Sequence, residues 1–418
     1  MRRVAATAVL TAGLVAAAAV PGAADAQRGL ELADAQHARE LADAPHGWEQ
    51  AAMRVPGAQR IAEGKGVTVA VLDTGVMKGH PEFRGRVTSG PDFIGGGARP
   101  GQSYWGGHGT AMASSVLHVA PDSRVLSVRV IWDREDPARK RAEKAAKDGK
   151  IGADKESERA GNALAKGIRY AVDHGARVVS MSLGTAEWGW GGYEDDTAAA
   201  VDYAVGKGVI LVASAGNGGS TDPLEVDANN TMSYPAGYPG VIAVAALAPD
   251  GVRAEFSQVH TYNTIAAPGV DIYAARNTGG YEAGDGTSPA CALVAGTAAL
   301  MLSANPKLTP RQVRDILVRT ARKPPAGYTP FLGFGLVNAE AAVKAASTAT
   351  AAKIAAVPYK GKQYFGDGPV GSPVGHPPID QTMLWVGGGA IGVGVLCGVG
   401  TFFLFRRPRA RRGRRAAA

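Results

Sequence analysis

The sequence predicts an α/β fold built on a mostly parallel sheet covered by helices. Apolar, strand-like runs recur through the middle of the chain, and stretches of helical character alternate with them. Of 418 residues, 45% are apolar and 20% charged, which suits a globular protein with a sizeable core. The 57 glycines add many tight turns.

The chain is longer than most single domains, and its two ends differ from its middle in composition. Residues 1–26 carry Arg2 and Arg3, an apolar run from Val4 to Val20, and Ala24-Asp25-Ala26 as a small-x-small cleavage signal. That is the pattern of a secretory signal peptide. Residues 27–60 form an N-terminal extension, expected to stay attached and to pack along the domain that follows.

The predicted strands of residues 61–345 are 67–72 (VTVAVL), 124–130 (RVLSVRV), 177–183 (RVVSMSL), 208–215 (GVILVASA) and 240–247 (GVIAVAAL). Helices are expected over 161–174, 195–207, 288–304 and 310–322, the last with Thr309 as N-cap and Pro310 in the first helical position. The charged stretch 133–159 has almost no apolar residues. It reads as a solvated loop or frayed surface helix, with a docking or self-processing loop as the sharper alternative.

Residues 346–382 turn to Ala and Thr, then to a Gly/Pro-rich run containing GDGPVGSPVGHPP, the composition of a linker. Residues 383–405, from Met383 to Phe405, carry no charge, long enough for a transmembrane helix. Seven arginines follow in the basic tail 406–418. The positive-inside rule keeps that tail cytoplasmic and places the middle of the chain outside a cell membrane, as a single-pass protein.

These ends also decide what the net charge of +8 means. The seven tail arginines with Arg2 and Arg3 account for all of it, leaving −1 over residues 4–405. No basic face remains to recommend nucleic acid as a partner. The two cysteines, Cys291 and Cys397, make no disulfide framework. Cys291 as a nucleophile lacks a Cys-His signature around it, and a small buried residue is the better reading.

The chemistry concentrates in three glycine-flanked segments: VAVLDTGV around Asp73, GGHGTAMAS around His108 and GTSPACALVAG around Ser288. Asp73 ends a predicted strand, at the carboxyl edge where open parallel sheets place reactive groups. His108 opens a run of small residues suited to a helix packed closely on the sheet. Ser288 reads as a helix N-cap with Pro289 next, where the helix amino end favours negative charge on an attacked carbonyl. An acid, a base and a nucleophile of this kind hydrolyse acyl bonds through an acyl-enzyme. The loop after the strand near 212 adds Asn217 as a second donor for the developing oxyanion.

With the order Asp, His, Ser, the segments resemble the subtilisin family of serine peptidases over roughly residues 60–345. His80-Pro81-Glu82-Phe83 and Ser182-Leu183-Gly184 are similar to further family elements. The resemblance implies a three-layer subtilisin-like fold and a serine endopeptidase with Asp73 as orienting acid, His108 as base, Ser288 as nucleophile and Asn217 as oxyanion donor. It also implies a substrate pocket lined by Ser182, Leu183, Gly184, Ala213, Ser214, Ala215 and Gly216. Two departures from the family pattern, Pro289 and Ala292, alter the packing behind Ser288 while sparing its own N–H. No cofactor is needed, and no Asp-rich loop offers a metal site.

The layout of leader, peptidase domain, tether, membrane helix and basic tail is similar to that of the mycosins, proteases associated with type VII secretion. Partners implied are a protein or peptide substrate, the membrane and a type VII secretion complex. The competing expectation is a scaffold that stabilises such a complex with its protease activity dispensable. Trp188 and Trp190, after the substrate-pairing strand, are balanced between covering the cleft and packing a surface loop.

Overall fold

The computed structural model describes residues 47–147, 153–187, 194–220 and 230–350. The leader, the tether, the membrane segment 383–405, the basic tail and the Trp188/Trp190 loop lie outside the described residues. Among the described residues, secondary structure begins with two short helices, α1 (Trp48–Ala52) and α2 (Val55–Gln59). A seven-stranded sheet follows, in the order β2-β3-β1-β4-β6-β8-β9 with every pairing parallel.

Its strands are β1 (Thr68–Asp73), β2 (Val87–Asp92), β3 (Arg124–Arg129), β4 (Val178–Met181), β6 (Ile210–Ser214), β8 (Val241–Leu247) and β9 (Asn263–Pro268). The pairs β5 (Thr185–Glu187) with β7 (Met232–Tyr234), and β10 (Ile272–Ala275) with β11 (Tyr281–Gly284), form two small antiparallel sheets. The helices are α3 (Gly107–Val119), α4 (Pro137–Lys147), α5 (Ala153–Asp173), α6 (Asp195–Gly206), α7 (Thr287–Ala304), α8 (Pro310–Thr320) and α9 (Ala339–Thr348).

Strand periodicity splits the core into two. Val69 and Val71 of β1, Ile210 and Val212 of β6, and Ile242 and Val244 of β8 face one layer, with residues of α3, α7, α8 and α9. Ala70 and Leu72, Leu211 and Ala213, and Val241 and Ala243 face the other, with residues of α5 and α6. Both faces are covered, as a parallel sheet requires. The result is the expected α/β fold with a parallel central sheet.

α7 is the centre of the first layer, with Thr287 through Leu302 all buried. Its length and composition would let it cross a membrane, yet it is a core helix that packs on α3, α9 and the sheet. A helix apolar on all sides is stable only when surrounded, and here protein surrounds it.

The described part of the N-terminal extension is stitched into the same body. Met53, Val55 and Ala58 are wholly buried, Trp48 Nε1 donates to Val270 O at 3.0 Å, and Ala339 N donates to Met53 O at 2.8 Å.

The α8 start is as predicted. Thr309 caps it with a capping box, its hydroxyl accepting from Gln312 N. The charged stretch 133–159 follows the surface-helix alternative, with two residues buried that its composition did not suggest. It holds α4 and the first turns of α5, and Asp136 and Ala138 are buried. Burial of Asp136 is compensated by the Arg129 guanidinium, 2.7 Å away, and by Ala138 N, 2.8 Å away. A count of apolar residues within the stretch could not see a partner supplied by β3.

Candidate active site

Parallel strands deliver their carboxyl ends to one edge of the sheet, and Asp73 is the last residue of β1. Its carboxylate is fully buried. Oδ1 accepts from Thr74 N at 2.7 Å and from His108 Nδ1 at 2.8 Å, while Oδ2 is buried without a partner.

His108 is the second residue of α3, and the helix reaches the acid because Gly109 has no side chain. A Cβ there would stand 2.1 Å from Gly75 O, an impossible contact. Gly109 N instead donates to Thr74 Oγ1 at 3.0 Å, locking the helix start to the turn after β1. Burial disfavours the imidazolium, but the charge and hydrogen bond of Asp73 outweigh it and raise the His108 pKa above its ordinary value. Asp133 adds to that rise and Arg134 opposes it.

The sequence implied that Ser288 is the N-cap of α7; the N-cap is instead Gly286, and Ser288 is the second helical residue after Thr287. The capping bonds come from outside the helix. Asn217 Oδ1 accepts from Thr287 N at 2.9 Å and from Thr287 Oγ1 at 2.7 Å. Pro289 therefore falls within the first turn, where the missing N–H would have no intrahelical acceptor. The Asn217 Nδ2 and Ser288 N atoms converge on one small space beside Gly286, lying 3.3 and 3.5 Å from the point a Cβ would occupy. The Ser288 hydroxyl donates to Ser182 O at 3.2 Å, and Ser182 Oγ donates back to Ser288 O at 2.9 Å.

His108, Ser288, Asn217, Ser182, Leu183, Gly184, Ser214 and Gly216 all line one open cleft of about 1550 Å³. Ala213 and Ala215, expected beside them, are fully buried and add no wall to it. The reason is strand alternation, which turns Ser214 towards the cleft and its neighbours away. Cys291 sits in the core of α7, with burial pushing its thiol up to about 11, so it is no nucleophile.

Three further residues shape the site that sequence reasoning did not single out. Thr287 fixes Asn217. Asp133 Oδ2 accepts from Gly107 N at 2.6 Å and His108 N at 3.3 Å. Arg129, buried in β3, donates through Nε to Thr74 O at 3.2 Å and pairs with Asp92 and Asp136. An arginine at the buried end of the strand RVLSVR was the available signal, because a buried charge demands partners.

Comparison with known proteins gives the family and the fold. The subtilase family model matches residues 64–357. Thermitase of Thermoactinomyces vulgaris is 33% identical over 302 residues, covering 70% of this chain and 94% of thermitase. Among solved structures, the MycP3 protease from the type VII (ESX-3) secretion system aligns with TM-score 0.58 and 30% identity, over 71% of this chain and 87% of that one. MycP1 from Mycobacterium smegmatis aligns with TM-score 0.57 and 29% identity, over 75% and 86%. On this combination of sequence and fold, the chain belongs to the subtilase family and is a subtilisin-like serine endopeptidase, structurally close to the mycosin proteases.

Proposed function

We propose that the chain cleaves exported proteins at an Asp73–His108–Ser288 triad, from a membrane-anchored position outside the cytoplasm and in association with a type VII secretion complex. The observation that carries the catalytic part is the 2.8 Å Asp73–His108 bond opening on the same cleft as Ser288 and Asn217. The cleft exceeds the roughly 300–1,000 Å³ of small-molecule sites, in keeping with an extended polypeptide substrate.

In this mechanism Asp73 holds the imidazole with its proton on Nδ1, leaving Nε2 to accept the Ser288 proton. Ser288 Oγ leaves Ser182 O by rotation about χ1 and attacks the scissile carbonyl. Asn217 Nδ2 and Ser288 N receive the oxyanion, with the α7 amino end adding its dipole. The imidazolium then protonates the departing amine, and water repeats the sequence to free the acyl-enzyme. Ser182, Leu183, Gly184, Ser214 and Gly216 form the substrate wall. The leader 1–26, the anchor 383–405 and the arginine tail support the membrane topology, and the likeness to MycP3 and MycP1 supports the secretion context.

The test is labelling of the full chain with a fluorophosphonate. Wild type is expected to label and Ser288→Ala to lose the label entirely; equal labelling of both, or none of either, defeats the triad. Burial of Trp48, Met53, Val55 and Ala58 supports the reading that the mature chain keeps this segment. Amino-terminal sequencing of the purified protein will find a start upstream of Trp48. A start near Gly64 would refute retention.

A further inference from the structure

We propose that Asp133 is a positioning residue of this hydrolytic site: its carboxylate caps the helix that carries His108, fixes where the imidazole stands and gives it a second negative neighbour. The inference rests on the hydrolytic reading of His108 given above, and adds to it a residue outside the triad.

The amino end of α3 needs an external cap. Its N-cap is Gly106, in the left-handed region at φ 73°, and Gly106 has no side chain to satisfy the first N–H groups. No acidic residue lies in the first turn. Asp133 supplies the acceptor from 26 positions away, its Oδ2 taking Gly107 N at 2.6 Å and His108 N at 3.3 Å. A charged acceptor at a helix amino end gains from the backbone dipole as well as from the bonds themselves. Gly107 makes the room, since a Cβ there would stand 3.0 Å from Asp133 Oδ2.

Asp133 is itself held in place. Its Oδ1 accepts from Arg134 N at 2.9 Å, and its carbonyl accepts from Asp136 N at 3.0 Å. Asp136 is anchored on Arg129, whose Nε reaches Thr74 O beside the acid. The turn 133–136 thus connects the acid's strand edge to the base's helix. Its first carboxylate lies against the backbone of the base.

The charged groups around the imidazole have opposite effects. Asp73 at the end of β1 and Asp133 after β3 favour the imidazolium; Arg134 beside Asp133 disfavours it. From the β10–β11 hairpin, Arg276 and Glu282 reach the same cleft but pair with each other at 3.2 Å, and Asp285 accepts from Asp271 N. Removing the Asp133 charge therefore lowers the proton affinity of His108, and removing Arg134 raises it.

The experiment uses the full-length chain in mild detergent, as wild type, Asp133→Asn, Asp133→Ala and Arg134→Gln. Two readouts are followed from pH 5 to 9: the rate of fluorophosphonate labelling, and the His108 imidazole resonances. Asp133→Asn keeps an acceptor oxygen for the helix and should melt close to wild type. Its imidazole titration and the acid limb of labelling are expected to move down together by about half a pH unit. Its plateau labelling rate should fall a few-fold. Asp133→Ala loses the cap too, so its plateau falls further and its Tm drops. Arg134→Gln moves the limb upward.

An Asp133→Asn imidazole that titrates within about 0.1 unit of wild type, or a limb displaced upward, overturns the proposal. If wild type does not label while the imidazole shifts as stated, the hydrolytic reading fails and the hold of Asp133 on His108 stands. Ser288-dependent labelling with no imidazole shift has the reverse meaning.

Discussion

Asp73→Asn is expected to lower the labelling and peptidase rates by about 10²–10³-fold with little change in fold. Asp73 Oδ1 already accepts from both Thr74 N and His108 Nδ1, and Oδ2 is buried with no partner. An asparagine that keeps its oxygen at the Oδ1 position preserves both bonds and puts its amide nitrogen where no bond is lost. The tautomer of His108 survives, and only the negative charge goes. That charge stabilises the imidazolium formed when Ser288 gives up its proton, so the deficit appears in the chemical step. Should the amide turn its nitrogen to Nδ1 instead, the tautomer is lost as well and the deficit approaches about 10⁴-fold.

The pH dependence of Asp73→Asn has a definite sign. Asp73 raises the His108 pKa, so its neutral replacement lowers it, and the acid limb of activity moves to lower pH. A histidine whose folded pKa is raised contributes stability that is fully present below its unfolded value of about 6.5, and lost as pH rises through the folded value. Wild type should therefore exceed Asp73→Asn in Tm by more near pH 5.5 than near pH 8.5. A pH–rate profile and paired melting curves check both statements. An unchanged rate or an acid limb shifted upward would remove Asp73 from its role.

Much of this was legible in the sequence, for identifiable reasons. The inner strands β1, β3, β4, β6 and β8 announce themselves as apolar runs because both their faces are buried. β2, at one edge with Ser89, Gly90 and Pro91, and β9, at the other with Pro268, lack that signal and escaped notice. Asp73, His108, Ser288 and Asn217 were found because glycines flank the first three and a strand end precedes the fourth. The structure adds that Gly109 is there for a close approach between helix and turn. Partnerships across long sequence separations were not readable. Nothing local says that Asp133 caps a helix 26 residues back, that Asn217 fixes Thr287, or that Asp136 waits for an arginine from β3.

Arg129→Met tests that last partnership and is expected to destabilise the fold by about 3–5 kcal/mol. The arginine side chain is 3% exposed, and all three of its nitrogens donate: Nη1 to Asp92 Oδ2 at 2.6 Å and Gly95 O at 2.7 Å, Nη2 to Asp136 Oδ2 at 2.7 Å, Nε to Thr74 O at 3.2 Å. Asp92 is 38% exposed and can return to water, but Asp136 is 1% exposed and cannot. The penalty is thus mostly the cost of one buried, unpaired carboxylate, and the Tm should fall by roughly 6–15 °C. Adding Asp136→Leu removes that carboxylate, so the double variant should regain much of the loss and show a coupling energy of about 1–3 kcal/mol. Labelling should not recover with stability. Both variants lack the bond to Thr74 O beside the acid, and the double variant also lacks the anchor that holds the turn from Asp133 to Asp136 against the base's helix. An Arg129→Met protein that melts within about 2 °C of wild type would show that the network does not hold the fold, and a double variant that restores stability and labelling together would show that it supports the fold without positioning the site.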